Sequence, residues 1–222
     1  MKELTSRQQQ AIATKKKIRE AAYALLLNQS FEQLKMSDIA AAAGVSVGTL
    51  YHHFASKEEL VFSGYHEFDL MVEQNQDKLT FSSHIEAIRS IIYGQAGGCI
   101  LRGVHLMSTA LRIQLSVQGS IFLDHGRNFP GYVFSHVQKA IEQGELLARD
   151  SAEDIAKAIL RSARGSIFDC CARNNIDQIT QIALHDLDII LAYYTPDCRC
   201  DFPSVNPAWL NAYKQWLEDA NN

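Results

Sequence analysis

Proline is scarce in this chain, with four residues in 222, and no segment alternates apolar and polar residues over the length of a strand. Both features leave little for a β-sheet and point to an all-α fold. No run of eighteen apolar residues exists, and the opening MKELTSRQQQ lacks the apolar core of a signal peptide. The expected location is therefore the cytoplasm, with no membrane partner. The five cysteines (Cys99, Cys170, Cys171, Cys198 and Cys200) are odd in number and form no disulfide framework. Reduced, structurally incidental thiols are expected, because the Cys198-Arg-Cys200 spacing has no further ligands nearby. The sequence holds no G-x-S-x-G, phosphate-binding loop, dinucleotide fingerprint or H-E-x-x-H, which argues against an enzyme and against a cofactor. His84, His105, His125 and His136 lack the H-x-x-x-H spacing of a helical metal site, so no metal is expected either.

What the chain does have is a dense pattern between Ser37 and Leu60, SDIAAAAGVSVGTLYHHFASKEEL. Ser37 is the expected N-cap of a helix over 38–43, with Asp38 favourable at the positive end of its dipole. The alanines that follow propagate helix well. Gly44 stands where a left-handed residue ends the helix, and Ser46 is placed to cap the next one. Leu50 and Phe54, four apart, are expected to point inward, with Gly48, Thr49 and His52 on the opposite side. Ser56-Lys57-Glu58-Glu59 has the form of a capping box, starting a third helix at Lys57. Two short helices joined by a tight turn make a helix-turn-helix, whose second helix can lie in a DNA major groove.

The segment resembles the DNA-binding domain of the tetracycline-repressor (TetR) family of bacterial transcription regulators. Ile39-Ala40, Ala43-Gly44-Val45-Ser46, Gly48-Thr49-Leu50-Tyr51, His53-Phe54, Ser56-Lys57-Glu58 and Leu60 meet that family's pattern, after a first helix expected over Lys15–Leu27. The resemblance covers about the first quarter of the chain. It implies that Ser46, Val47, Gly48 and Thr49 enter the major groove, and that Ser37, Tyr51, His53 and Lys57 meet phosphate. His52 is the variable position beside them, able to reach a base or a phosphate. Two alternatives stay open at this level: Tyr51 could serve mainly in packing, and Val47 could read only a thymine methyl or the groove's shape.

Charge divides the chain in the same way. Residues 1–57 hold eight basic residues against four acidic ones, a net of +4, so a whole-chain charge of −4 leaves −8 on residues 58–222. A basic end on an acidic remainder suits contact with phosphate at one end. Lys15 belongs to a Lys15-Lys16-Lys17 run expected at the start of the first helix. Cations are unfavourable there, so the cluster reads better as facing DNA. The expected organisation is a DNA-binding domain over 1–57 and a larger helical regulatory domain over 58–222.

Helices are expected in the second part over 57–79, 83–95, 99–117, 127–143, 151–173 and 177–194, with breaks at Gly97-Gly98, Gly119 and Gly144. A last helix should follow Asn206-Pro207, with Trp209, Tyr213, Trp216 and Leu217 on one face. Phe62, Tyr65, Phe68, Tyr93, His105, Met107, Phe122, Phe129 and Tyr132 form an aromatic, methionine-containing set suited to a lipophilic or aromatic small molecule, or simply to a core. Ile155, Ile159, Ala163 and Ile167 make a stripe at helical spacing, and Ile182 and Ile190 add apolar positions on the next helix. The resemblance implies that these two helices pair with their copies in a homodimer. Two-fold pairing also matches a palindromic operator. The resulting expectation is a ligand-released repressor; a DNA-bound protein-interaction factor without a small-molecule effector is the alternative.

Overall fold

In a computed structural model, residues 5–116, 126–198 and 201–219 are described. They contain nine α-helices and no strand: α1 (Ser6–Leu26), α2 (Met36–Ala42), α3 (Val47–His53), α4 (Lys57–Asn75), α5 (His84–Ser116), α6 (Asn128–Glu142), α7 (Ala152–Arg173), α8 (Ile179–Tyr194) and α9 (Ala208–Asp219). A single 3-10 turn at Ile176–Gln178 precedes α8. Contacts divide the chain into a head ending at Glu67, to which Glu218 and Asp219 are also assigned, and a body of Phe68–Leu217. The boundary falls within α4. Among the described residues, no helix is long and apolar enough to cross a membrane.

The head's core is drawn from four helices: Ile18, Ala22 and Leu26 of α1, Ile39 and Ala40 of α2, Leu50 and Phe54 of the α3 segment, and Leu60 of α4 are all essentially without solvent exposure. Arg19, also buried, pairs with Glu67. The helix start expected at Lys15 lies nine residues too late, since α1 begins at Ser6. The polar stretch before Lys15 has little apolar periodicity but contains good helix formers. The lysine run is consequently mid-helix, and the unfavourable-dipole reasoning for it falls away. Leu50 is fully buried in a seven-residue helix. Leu50→Ala is therefore expected to cost the head about 2–5 kcal/mol through lost transfer energy and an unfilled cavity. Amide hydrogen exchange across α2 and α3 checks this, with loss of protection confined to the head.

The body packs α5 against α6, α7 and α8, with α6 and α8 also lying on α7. Ser151 accepts from the Asp154 amide at 3.1 Å at the start of α7, and Asn174 ends it in the left-handed conformation, φ 55°. The α5 N-terminus is held from elsewhere: the Glu145 carboxylate accepts the His84 and Ile85 amides, both at 2.9 Å. The break expected at Gly97-Gly98 is not there. α5 runs through both glycines and is interrupted at Gly103 instead, where φ 78°, ψ 158° suits glycine alone. Gly94, Gly97 and Gly98 serve close approach: a Cβ on Gly94 would stand 2.7 Å from Trp209 Cβ, and one on Gly98 3.1 Å from Tyr213 Cε1. Asn206 caps α9 through the Ala208 amide at 3.0 Å, and Trp209 and Tyr213 are buried as expected.

α5 and α6 are also joined by two imidazoles. His84 Nδ1 and His136 Nδ1 are 3.0 Å apart, a distance that accommodates one shared proton. His136 lies against the Tyr132 ring, centroids 4.3 Å apart. Burial, then the charges of His84 and Lys139, push its pKa down to about 4. Because its folded value lies below that of a free imidazole, His136 favours folding in its neutral form, and the advantage is lost as pH falls from about 6.5 toward about 4. The body should lose on the order of 1–2 kcal/mol across that window, allowing for solvent screening. Thermal melts against pH should show this slope, and His136→Asn should flatten it.

Candidate nucleic-acid interface

The turn between α2 and α3 is built from backbone geometry that only a few residues supply. Gly44 takes φ 60°, and the Val45 amide reaches back to the Ala40 carbonyl at 3.0 Å, closing α2 in a Schellman-type turn. Ser46 then caps α3, its Oγ accepting from the Thr49 amide at 3.0 Å and lying 2.7 Å from the Thr49 hydroxyl. Leu50 and Phe54 anchor α3 inward. Its outer face presents Val47, Gly48, Tyr51 and His52, with Val47 44% and Tyr51 53% exposed. Apolar and aromatic side chains left this open on a seven-residue helix do not serve the core.

Ser37, Val47, Tyr51 and Lys57 line one open cleft of about 530 Å³, together with Lys35, Met36 and the start of α4. The sequence reading missed Lys35, which stands just before α2 and adds a cation to this cleft; its membership of the basic end was the only available signal. Ser37 is not the cap expected of it. α2 starts two residues earlier than expected, at Met36, with Lys35 as the capping position and no side-chain cap, and Ser37 Oγ instead donates to Asp38 Oδ1 at 3.2 Å. Ser56 does cap α4, accepting from the Glu59 amide at 3.1 Å, while Glu59 accepts from the Ala55 amide at 2.7 Å, one residue beyond the usual reciprocal bond to the cap's own amide.

Two basic positions are set in ways the sequence did not reveal. Lys57 Nζ donates to the carbonyls of Phe31 (2.8 Å) and Leu34 (3.3 Å), approaches that of Glu32 (3.5 Å), and lies 4.4 Å from the Phe31 ring centre. Its ammonium thus ties the start of α4 to the loop before α2. Lys15 is exposed, with its Nζ 5.3 Å from the Phe54 ring centre. Burial lowers the pKa of His53, helped by the charges of His52 and Lys15.

Residues 18–63 match the family model described as bacterial regulatory proteins, tetR family. The chain carries a tetR-family head. No curated protein matches the chain in sequence. Among solved structures, a gamma-butyrolactone receptor (ArpA-like protein) shares 20% identity at a TM-score of 0.58, covering 95% of this chain and 99% of the other. TylP, a TetR regulator from Streptomyces fradiae, shares 17% at 0.63, covering 92% and 98%. SmeT in its triclosan complex shares 17% at 0.61, covering 87% and 96%. These likenesses extend the shared fold beyond the tetR-family head to nearly the whole chain.

The expected ligand residues separate. Phe62 and Tyr65, whose ring centres are 6.4 Å apart, belong to the head's part of α4. Phe68, Phe129 and Tyr132 do come together in the body: Phe68 meets Phe129 at 5.5 Å. The group is completed by two residues the ligand set omitted, Tyr213 at 5.4 Å from Phe68 and Trp209 at 5.0 Å from Tyr132. Met107 is buried and Tyr93 half-buried. His105 is exposed and does not join the set, its position on α5 falling on the outer face. Phe122 lies outside the described residues, as do His125, Gly119 and Cys200. The dimer stripe needs the larger correction. Ile155, Ile159, Ala163 and Ile167 are at most 4% exposed and face the body's own core, so they are not available to a partner. The same two helices expose Phe168 (58%), Ile189 (58%) and Tyr193 (56%), and Ile182 and Ile190 are half-exposed. Phe168 sits one residue beyond Ile167, an offset of about 100° that the apolar pattern alone does not resolve.

Proposed function

We propose that this protein is a transcriptional regulator that binds a palindromic operator as a homodimer, represses from it, and is released by a small lipophilic or aromatic molecule. The observation that carries the DNA-binding part is α3: its inner face is locked by Leu50 and Phe54, while Val47, Gly48, Tyr51 and His52 stand outward beside a cleft bearing Lys35 and Lys57. An α-helix fits the major groove, and the first residues of such a helix reach base edges. Val47, Gly48, Thr49 and His52 then choose sequence, with Ser46 fixing the helix start, while Ser37, Tyr51, His53 and Lys15 set grip on phosphate. Lys57 contributes chiefly by holding the start of α4 in place. Fluorescence anisotropy with varied duplexes tests the division. Tyr51→Ala should weaken binding to operator and random DNA by the same factor, and a loss restricted to operator would contradict its phosphate role.

Homodimerisation is supported by the exposed Phe168, Ile189 and Tyr193 on two adjacent helices, a face suited to pairing with its own copy in a four-helix arrangement. The domains proposed are a DNA-binding head over 1–57 and a regulatory body over 58–222, joined through α4. Effector binding in the body would shift α4 and change the spacing of the two recognition helices, a coupling that needs only about 1–3 kcal/mol. A gamma-butyrolactone receptor and a triclosan complex among the structural relatives support a small-molecule effector. A protein-interaction factor without an effector is the second reading, favoured by the occupied state of the Phe68–Phe129–Tyr132 cluster. An aromatic compound that lowers operator affinity decides between them.

A further inference from the structure

The aromatic cluster of the body is filled from the chain's own last helix. α9 crosses α5 at Gly94–Gly98 and sends Trp209 and Tyr213 inward, 0% and 1% exposed. Each ring carries its polar atom to a polar partner. Trp209 Nε1 donates to the Tyr132 hydroxyl at 3.4 Å, and Arg102 donates to the Tyr213 hydroxyl, with its guanidinium 5.1 Å from that ring centre. Phe68 packs edge-on against Tyr213. An indole N–H against a phenol, and a phenol oxygen against a guanidinium, are the contacts a planar aromatic ligand with one donor and one phenolic or acidic oxygen would make.

The seat is also specific to a closely approaching helix. The Trp209 backbone comes so near α5 that a Cβ on Gly94 would meet both Trp209 Cβ and its carbonyl carbon, at 2.7 and 3.0 Å. α9 reaches this seat through the thirteen residues of 195–207, which carry no helix in their described part. α9 is held by the rings it buries and by the segment before it, where Arg89 donates to the Pro203 carbonyl and Asn206 donates to Glu86 Oε1 at 3.2 Å. Its own stability in isolation is marginal, since helices of about twelve residues are poorly stable alone.

We infer that α9 is an intramolecular occupant of the effector site, and that planar aromatic compounds bearing a phenolic or acidic oxygen compete with Trp209 and Tyr213 for it. This rests on the reading of the body as effector-binding. Closed α9 then lowers the apparent affinity for any such compound by the fraction of molecules in which the site is open. Loosening α9 without touching Phe68, Phe129 or Tyr132 raises that affinity.

Two substitutions loosen α9 in different ways. Gly94→Ala adds the excluded methyl while improving the helix propensity of α5. Tyr213→Phe keeps the ring and removes the oxygen that Arg102 holds. The full-length chain with Trp216→Phe leaves Trp209 as the one tryptophan, and 2-naphthol serves as the probe, followed by calorimetry and by acrylamide quenching of Trp209. Saturating 2-naphthol is expected to expose Trp209, raising its quenching several-fold. Tyr213→Phe should tighten 2-naphthol binding by up to about tenfold, the worth of a hydrogen bond to a charged group. Gly94→Ala should tighten it at least as much and should expose Trp209 before any probe is added. If 2-naphthol binds with Trp209 still shielded, or binds none of the three proteins, the inference is overturned. Operator affinity measured in the same titration separates the two claims: release of DNA with Trp209 shielded keeps the effector reading and ends this one. Exposure of Trp209 without any change in DNA affinity does the reverse.

Discussion

Replacing Phe168 with glutamate should turn the protein into monomers and, with the dimer, remove operator binding. Phe168 is 58% exposed on α7, and Ile189 and Tyr193 are exposed on α8, so the substitution leaves the protomer's own core untouched. In a two-fold interface the new carboxylates enter as a pair, each removed from water without a partner. Burying one such charge costs several kcal/mol, so dimer dissociation should rise by roughly 100-fold or more. A single head has only the few bases read by one α3, and operator affinity should fall on the order of 1,000-fold toward the level of random DNA. Analytical ultracentrifugation and anisotropy read the two effects. An unchanged sedimentation coefficient would move the interface elsewhere. Ile159→Glu is the contrasting variant: its target is 1% exposed, so it should unfold the body rather than dissociate a folded dimer.

Lys57→Met should destabilise the head by about 2–3 kcal/mol, because the ammonium's hydrogen bonds to the Phe31 and Leu34 carbonyls and its contact with the Phe31 ring all vanish together. The 31–34 carbonyls would be left to recruit water, and the loop before α2 would lose its tie to α4. Hydrogen exchange of α2 and α3 amides should show faster opening, with body amides unaffected. Measured at low temperature, where the head stays folded, operator affinity should fall less than in Tyr51→Ala. A Lys57→Met head with unchanged exchange rates but strongly weakened DNA binding would instead make this lysine a phosphate contact first.

How far the sequence reached is best judged at particular residues. Gly44, Ser46, Ser56, Ser151, Asn174 and Asn206 all do what local chemistry demands, because turns and caps are decided by a few neighbouring atoms. Leu50 and Phe54 were equally legible, since a short helix has one way to bury two residues four apart. What failed depends on neighbours far along the chain. Gly97-Gly98 looked like a break because glycine disfavours helix, yet α9 needs a bare helical surface just there. An apolar stripe such as Ile155–Ile167 records only that something covers it, which here is the body's own core and not a second copy. Lys57 stands in the phosphate-contact pattern of the resemblance, but the carbonyls that hold it are 23 to 26 residues away in sequence. Trp209 and Tyr213 were recognised as a docked face, while their meeting with Phe68 and Tyr132 required the fold.

Selection of bound duplexes from a random library tests DNA reading by α3 of a paired head, using the full-length protein and then a Val47→Ala, His52→Ala double variant. The prediction is an enriched palindrome whose half-sites lie about one helical turn, 10 base pairs, or a multiple of it apart. The double variant should enrich a palindrome with the same spacing but altered or relaxed bases at one or two symmetric positions. Enrichment of a single asymmetric site, no enrichment at all, or an identical operator for the double variant would contradict the account.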